Sequence, residues 1–277
     1  MSKLPERDDK PDVPAEQAPE GMTLWEHLDE LRSRLIKMIV AFLAGCGLAW
    51  TKKELLLQII TQPFVAAWKH GHHTGGPALH FPAPAALFMA YIRIAALAGV
   101  IFALPLMLWQ IWAFIAPGLY SKEKRYAVPF VVSSCLLFAG GAYFGWKVAF
   151  PLAFQFLLDL GGRVGELEVQ PTVMISEYLD FVTRMLLAFG GAAELPIVAF
   201  FLSVAGLITH KHLIKFFRYF LVIDFIVAAV VTPPDVMSQL LLAVPLAMLY
   251  VISIGVAWVF SRKRRSDDAP SDDAPAT

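Results

Sequence analysis

The chain has 277 residues, of which 57% are hydrophobic, and its mean hydropathy is +0.60. Soluble domains are only about 45–50% apolar, so this composition excludes an ordinary soluble domain and indicates an integral membrane protein. Lys plus Arg and Asp plus Glu each number 23, which makes the formal net charge zero. Bulk attraction to nucleic acid is therefore excluded, and the positions of the charges carry the information instead.

Both ends of the chain are polar and low in complexity. Residues 1–21 are rich in proline and acids and contain no apolar core, so they resemble neither a cleavable signal nor an organelle transit peptide. The other end repeats the acidic sequence SDDAP. We therefore expect residues 1–21 and 266–277 to be disordered cytoplasmic tails on either side of one membrane domain at 22–265.

Six apolar runs approach or exceed the length of about 20 residues that crosses about 30 Å of hydrocarbon. None alternates with a period of two, and lipid tolerates no unpaired backbone group, so the runs predict helices rather than a barrel. The expected fold is an all-α integral membrane protein with six transmembrane helices. The runs are residues 35–50, 85–115, 127–150, 178–206, 216–231 and 240–260.

Lys and Arg residues near the ends of the runs divide unequally between the two sides of the membrane. Cytoplasmic segments carry the excess of basic residues, so the side with thirteen of them is predicted to be cytoplasmic and to hold both termini. The thirteen are Arg32, Arg34, Lys37, Lys122, Lys124, Arg125, Lys211, Lys215, Arg218, Arg262, Lys263, Arg264 and Arg265. The four on the other side are Lys52, Lys53, Lys69 and Arg163.

The runs also differ in length. The second and fourth approach 30 residues, or about 45 Å, and we expect Pro105 and Pro196 to kink them. The fifth run has about 16 residues, or about 24 Å, which predicts a short helix that thins the bilayer or is buried among its neighbours. The TPPD turn at residues 232–235 is tight enough to make the last two helices a hairpin.

The first external loop contains the stretch KKELLLQIITQPF. We expect this amphipathic segment to lie on the outer membrane surface and to end at Pro63. Histidines follow at positions 70, 72, 73 and 80. Because they have neither helical spacing nor nearby cysteines, a solvated loop is favoured over a zinc site, and no metal is expected.

The segment that leads into the first run contains the charged stretch HLDELRSRL. Thr23 and Glu26 form a T-x-x-E capping box that starts a helix at about Leu24. From spacing alone, Glu30 is best interpreted as half of an i, i+4 pair with Arg34, worth about 0.3–0.5 kcal/mol.

The second run ends in QIWAFIAPGLYSKEKR. Trp109, Trp112 and Tyr120 predict an interfacial aromatic belt at this point. Glu123 is the only acid in the basic loop that follows, and by itself it is interpreted as a solvated surface charge.

Several charges fall inside the predicted spans. Glu194 lies about 18 Å from the cytoplasmic end of its run, where a charge costs at least about 2.5–3.5 kcal/mol, so a functional role is the default interpretation. The alternative is a protonated or paired glutamate with a structural role. Asp180 is expected to neutralise Arg184, four residues further on. Asp224 has two candidate partners, Arg93 and Arg184, and the sequence does not choose between them.

The sequence contains no P-loop and no H-E-x-x-H or G-x-S-x-G motif. We therefore expect neither enzymatic activity nor a cofactor. One rival function is a secondary transporter with an intramembrane site at Glu194, although no internal repeat supports it. The other is an intramembrane enzyme, for which the chain offers no convincing nucleophile or set of metal ligands.

Five stretches resemble the TatC family, a subunit of the twin-arginine protein translocase. They occur in the order and spacing of that family and cover the chain from residue 22 to about residue 260. The stretches are HLDELRSRL, QIWAFIAPGLYSKEKRYAVPFV, FPLAFQFL, EYLDFV with LLAFGGAAELPIV, and TPPDVMSQLLLAVP.

The resemblance implies six helices in a concave, glove-like arrangement, with both termini cytoplasmic, in the bacterial cytoplasmic membrane. It also implies recognition of export precursors whose signal peptides carry two consecutive arginines. By that resemblance, Glu30 and Glu123 receive the arginine pair, which suits the bidentate binding of a guanidinium by a carboxylate. Neighbouring positions implied to shape this patch are Arg32, Phe114, Pro117 and Leu119.

The resemblance implies further partners. Glu194 and Gln239 match polar positions near contacts with the single-span TatA- and TatB-type proteins, and self-association in a receptor complex is also implied. The proton-motive force drives transport in this family. The matched external positions with a structural role are Pro63, Thr232, Pro233, Pro234 and Asp235.

Three positions depart from the family pattern. Ala193 stands where a bulky aromatic often precedes the intramembrane glutamate, which opens space beside Glu194. Arg184 and Asp224 are charged where many relatives are apolar.

Overall fold

The computed structural model describes residues 24–70, 76–115, 127–164, 167–169 and 171–267. The predicted tails lie outside these ranges, apart from Ser266 and Asp267, which are the last residues of the final helix. The proposed capping residue Thr23 also lies outside them.

The described residues form helices and one short pair of strands. A π-helical turn at Gly145–Ala149 joins two of the helices. The helices are α1 (Leu24–Trp50), α2 (Lys53–His70), α3 (Pro84–Ile115), α4 (Ala127–Phe144), α5 (Phe150–Asp159), α6 (Ile175–Ala193), α7 (Leu195–Val204), α8 (His210–Val231) and α9 (Val236–Asp267). The strands β1 (Gly162–Val164) and β2 (Leu167–Val169) pair antiparallel, a small addition to the predicted all-α fold.

Five stretches are long and apolar enough to cross a membrane. They correspond to the first four predicted runs and the last one. The stretches are His27–Trp50, Pro84–Phe114, Val128–Asp159, Ile175–Val204 and Val236–Phe260. The prediction of a helical membrane protein, with long second and fourth helices, is thus confirmed.

Helix α8 holds the predicted fifth run. It has 22 residues, or about 33 Å, so the predicted length of 16 residues is wrong. The extra turns carry Lys211 and Lys215 and are helical in spite of their polarity. Lys215, Arg218 and Asp224 spread three charges along α8, so this helix is not among the five stretches above.

The third span extends beyond residue 150, where the sequence predicts its end. It continues through the π-helical turn into α5 and ends at Asp159. Pro151 lacks the N–H that an α-helix would direct to Lys147, and the wide turn lies directly before it. Within this turn the N–H of Phe150 donates to the carbonyl of Gly145, five residues earlier, as in a π-helix. A π turn accommodates the proline without ending the helix.

Two glycines bring α1 and α3 into close contact. A Cβ atom built on Gly45 would lie 2.8 Å from the carbonyl oxygen of Gly99, so neither position leaves room for a side chain. Ala49, Ala95 and Ala98 are buried beside them. Small residues of this kind let membrane helices approach closely and gain van der Waals contact.

The helices run between two ends of the bundle, a loop end and a tail end. The loop end carries α2, the β-hairpin and the turn at 232–235, and the tail end carries the start of α1 and the end of α9. At the loop end, Phe64, Phe154 and Tyr178 pack ring against ring and join α2 to α5 and α6. Helix α2 continues to His70 with Pro63 inside it, so the prediction that Pro63 ends this segment is wrong.

The last two helices form the predicted hairpin. The rings of Phe220 and Tyr250 stack with centroids 4.0 Å apart, and the Tyr250 hydroxyl donates to the Leu213 carbonyl at 3.0 Å. At the tail end, Trp112 is buried against Phe130 and Phe201, which corrects its assignment to an interfacial aromatic belt.

Candidate functional site

The predicted signal-peptide patch begins with Glu30 on α1. Nε of Arg34 donates to Oε1 of Glu30 at 3.0 Å, and Nη2 of the same guanidinium contacts the same oxygen. The pair that spacing favours is therefore present. The second carboxylate oxygen, Oε2, is buried and has no hydrogen-bond partner among the described residues.

Phe114 lies at the end of α3 beside this part of α1. Its ring stacks on His27 with centroids 4.5 Å apart. Because His27 precedes Glu30 by three residues, the two side chains lie on the same face of α1. Glu30 and Phe114 thus belong to one surface, whereas Arg32 is exposed on a different face. Sequence reasoning missed His27, although its i, i+3 spacing to Glu30 was a usable signal.

The other predicted members of this patch are Glu123, Pro117 and Leu119. They fall within residues 116–126, which lie outside the described part of the chain. The arrangement of the second carboxylate relative to Glu30 stays a prediction.

Glu194 occupies the break between α6 and α7. Pro196 lies in the first turn of α7 and has no N–H to continue the ladder of α6, so the kink predicted at this proline takes the form of a break between two helices. Glu194 is half-buried, and its Oε1 has no hydrogen-bond partner within the described ranges. The buried hydroxyl of Ser134 on α4 lies next to this carboxyl, and sequence reasoning did not identify it.

Asp180 and Arg184 on α6 each contact a neighbouring helix rather than each other. Nη1 of Arg93 on α3 donates to Oδ1 of Asp180 at 2.6 Å, so the predicted pair between Asp180 and Arg184 is wrong. Nη1 of Arg184 donates instead to the Val230 carbonyl at 3.1 Å, in the last turn of α8. A cation at a helix C-terminus satisfies an otherwise free carbonyl and complements the helix dipole.

Asp224 is only 2% exposed, and both of its carboxylate oxygens lack a hydrogen-bond partner in the described ranges. Neither candidate partner, Arg93 or Arg184, contacts it, because each donates elsewhere. Nothing in the structure explains this residue further.

The turn at 232–235 holds both helices of the hairpin. The Thr232 hydroxyl donates to the Ala228 carbonyl at 2.8 Å, which closes α8. Oδ1 of Asp235 accepts the Ser238 N–H at 2.7 Å and so caps the start of α9. Pro233 and Pro234 lie between these two caps, where neither can continue the preceding helix. Gln239 donates from Nε2 to the Phe225 carbonyl at 3.0 Å and links the hairpin once more.

Pro63 is buried inside α2 and removes one helical hydrogen bond. The bond that it cannot make would go to the Ile59 carbonyl, and Nε1 of Trp146 donates to this carbonyl at 3.1 Å. The buried Tyr178 hydroxyl donates to the adjacent Ile60 carbonyl at 2.7 Å. Sequence reasoning missed both aromatic donors. The signal available was a proline within a helical segment, which always leaves one carbonyl free.

An apolar groove of about 340 Å³ lies between α4, α6 and α9. Ala193 lines it, directly before Glu194, together with Gly140, Gly141 and Met248. Ala193 thus borders an open groove, while the space expected beside Glu194 stays a prediction. Within the described part of the chain no group of three or more His, Cys, Asp or Glu residues has the geometry of a metal site, and His72 and His73 lie outside that part.

Comparisons with known proteins agree on one family. The family model for "Sec-independent protein translocase protein (TatC)" matches residues 26–245. The TatC protein of Desulforapulum autotrophicum is 40% identical over 243 residues, which cover 88% of this chain and 87% of that protein. The TatC protein of Aquifex aeolicus is 40% identical over 244 residues, covering 88% and 98%.

A solved structure is also similar along most of the chain. It is described as a crystal structure of the twin arginine translocase receptor TatC, and it superposes with a TM-score of 0.75 at 38% sequence identity. The match covers 86% of this chain and 100% of the solved one.

Proposed function

Because the chain belongs to the TatC family of Sec-independent protein translocase proteins, we propose that it is the receptor subunit that recognises twin-arginine signal peptides. The family is one of protein transport rather than enzymatic catalysis, and its members are multi-pass bacterial membrane proteins. The proposal adds the ligand and the residues that bind it.

The observation that carries the proposal is the state of Glu30. Arg34 holds one carboxylate oxygen, while the other is buried without a hydrogen-bond partner among the described residues. An unsatisfied buried carboxylate oxygen is costly, and a charge-assisted donor relieves that cost. A guanidinium from a signal peptide supplies such a donor.

The second half of the proposed site is Glu123, with Pro117 and Leu119 shaping the loop and Arg32 lying nearby. Two separated carboxylates would each bind one guanidinium group, and so would select a peptide with two arginines. Lysine is a point charge without the planar fork of arginine, so a twin-lysine peptide would bind less well.

We further propose that α8 is the sixth transmembrane helix and that both termini are cytoplasmic, in a concave arrangement. The support is the excess of basic residues on the side of the tail end. This orientation places the loop end outside the cytoplasm, with Pro63 and the turn at 232–235 holding its cap.

The proposed partners are single-span TatA- and TatB-type helices and further copies of the receptor, and the proposed energy source is the proton-motive force. The apolar groove lined by Ala193, the residue before Glu194, supports a helix-binding role for the inner region. Gln239 lines a second hollow of about 450 Å³ on the surface of α8.

A crosslinking experiment tests the receptor proposal. A photoreactive residue at Ser33, which is exposed beside Glu30, should capture a twin-arginine signal peptide and capture its twin-lysine version about tenfold less well. Glu30→Gln should reduce capture of the twin-arginine peptide to the twin-lysine level.

The matched control is Asp29→Asn, which removes the same charge from an exposed neighbouring residue and should leave capture unchanged. Equal capture of the two peptides by the unmodified receptor would contradict the proposal. Substrate uptake that required Glu194 but no signal peptide would favour the rival transporter function.

A further inference from the structure

Helix α6 carries an exposed stripe that is unusually polar for a membrane helix. Its members recur every three or four residues, so they share one face. They are Glu177, Asp180, Arg184, Leu187, Gly191 and Glu194, which we call the α6 stripe. None of these six residues is buried.

The stripe differs from the exposed face of a neighbouring span. On α4, Val132, Leu136, Ala139 and Tyr143 follow the same spacing, and all are exposed. These side chains are apolar or aromatic, as expected for contact with lipid, and the next charge, Lys147, comes a full turn later. The α6 stripe instead places two acids and an arginine in its first three turns.

The chain satisfies the charges of the stripe only in part. Arg93 pairs with Asp180 at 2.6 Å, yet the Asp180 side chain is still 47% exposed. Arg184 is exposed although one nitrogen caps α8. Asp180 and Arg184 lie five and nine residues into the span that begins at Ile175, or about 8 and 14 Å, and charged groups inside a membrane span face protein or a water-filled cavity rather than lipid.

There is also free space at the inner end of the stripe. A Cβ atom added to Gly191 would meet no atom within 4 Å beyond its chain neighbours and the backbone of its own helix, in contrast to the neighbouring Gly190, where it would lie 2.8 Å from the Phe138 ring. Gly191 precedes Glu194 by three residues, so this open space lies one turn from the Glu194 carboxyl.

We infer that the α6 stripe lines an aqueous vestibule, which opens at the loop end and lets water and small ions from outside the cytoplasm reach the turn that contains Glu194. This inference rests on the proposed orientation of the chain. The occupant is water, because ionic groups interleaved with small and exposed positions are solvated best by it. An apolar partner helix would leave the charges of Asp180 and Arg184 without solvation.

Cysteine accessibility tests the vestibule in the full chain, after Cys46 and Cys135 are replaced by alanine. Gly191→Cys reports on the vestibule, and Ala139→Cys on α4 is its lipid-facing control. The two positions lie 13 and 12 residues from the tail ends of their spans, which end at Val204 and begin at Ala127, so their depths are similar, at about 20 and 18 Å.

A membrane-impermeant, anionic thiosulfonate reagent added outside right-side-out vesicles should modify Gly191→Cys at least about tenfold faster than Ala139→Cys, because thiolates form and react in water. Leu187→Cys, at a position that is 39% exposed, should react at least as fast as Gly191→Cys and serves if that variant does not fold. Equally slow reaction at all three positions would overturn the vestibule.

Thr51→Cys, at an exposed loop-end position, reports the orientation separately. If Thr51→Cys is modified from outside while Gly191→Cys reacts slowly, the vestibule is refuted and the proposed topology stays intact. Modification of Thr51→Cys only in inside-out vesicles refutes the proposed topology and with it the opening of the vestibule to the outside.

Discussion

Trp146 compensates for Pro63, and this pairing gives the sharpest test of how α2 is held. Pro63 has no N–H for the Ile59 carbonyl, and the indole N–H of Trp146 occupies that carbonyl at 3.1 Å. We predict that Trp146→Phe, which keeps an aromatic ring but removes the donor, loosens α2 from the bundle.

The size of the effect follows from the carbonyl that is left unpaired. The bond lies at an exposed position, so its loss costs about the net 0.5–1.5 kcal/mol of an ordinary hydrogen bond, which corresponds to about a 2- to 12-fold increase in local opening. In a Pro63→Ala background the backbone regains its N–H, and the Ile59 carbonyl then has a helical partner. In that background Trp146→Phe should cost only the packing energy lost with the indole ring. This loss is the same with Pro63 and with Pro63→Ala, so it cancels in a double-mutant cycle.

The assay measures the opening of α2 directly. Ile60→Cys places a smaller side chain at a position that is only 9% exposed, and its modification rate in a background without the two native cysteines reports local opening. Trp109→Phe, at a tryptophan that is 43% exposed, is the matched control and should not change the rate. An equal acceleration by Trp146→Phe with and without Pro63 would refute the reasoning.

Two further substitutions test close packing and capping by thermal unfolding in detergent. Gly99→Val should destabilise the α1–α3 contact by about 1–3 kcal/mol, because an added Cβ would lie 2.5 Å from Sγ and 2.9 Å from the backbone N of Cys46. A Cβ added at Gly140 meets nothing within 4 Å beyond its own helix, so Gly140→Val should have little effect. Similar losses would show that close approach is unimportant. Asp235→Ala should cost about 0.5–2 kcal/mol by uncapping the Ser238 N–H. Asp235→Asn keeps the acceptor and should stay near the parent stability, so an equal loss would contradict the capping role.

The features that the sequence predicted well are those fixed by local spacing. Long apolar runs specify helices because lipid leaves the backbone no other partner. The Glu30–Arg34 pair follows from residues four apart on one helix, and the break at Glu194 follows from Pro196 two residues later. The hairpin of α8 and α9 follows from a turn too short for any other connection.

The features that it predicted wrongly depend on which helix faces meet. Asp180 lies four residues from Arg184, but it pairs with Arg93, which is 87 positions away in sequence. The choice is decided by the packing of α3 on α6 and by the last turn of α8, whose Val230 carbonyl takes the arginine. The length of α8 was underestimated for a different reason, because hydropathy marks the apolar part of a helix and not its polar turns.

In the proposed receptor site, Arg34 determines how the Glu30 carboxylate meets a signal-peptide arginine. It holds Oε1, so the carboxylate is already oriented and an incoming guanidinium need only engage Oε2. Preorganisation of this kind lowers the entropic cost of binding. If Arg34 instead competes with the ligand, its removal has the opposite consequence, because both oxygens of Glu30 become free for a bidentate guanidinium.

We expect Arg34 to orient Glu30 rather than to compete, since only Oε1 has a donor and Oε2 lacks one. Arg34→Gln should therefore weaken twin-arginine peptide binding, by about tenfold if the lost orientation is worth about 1.4 kcal/mol. Lys37→Gln removes the same charge from an exposed position one turn further on and should have little effect, whereas tighter binding by Arg34→Gln would show that Arg34 competes with the signal peptide.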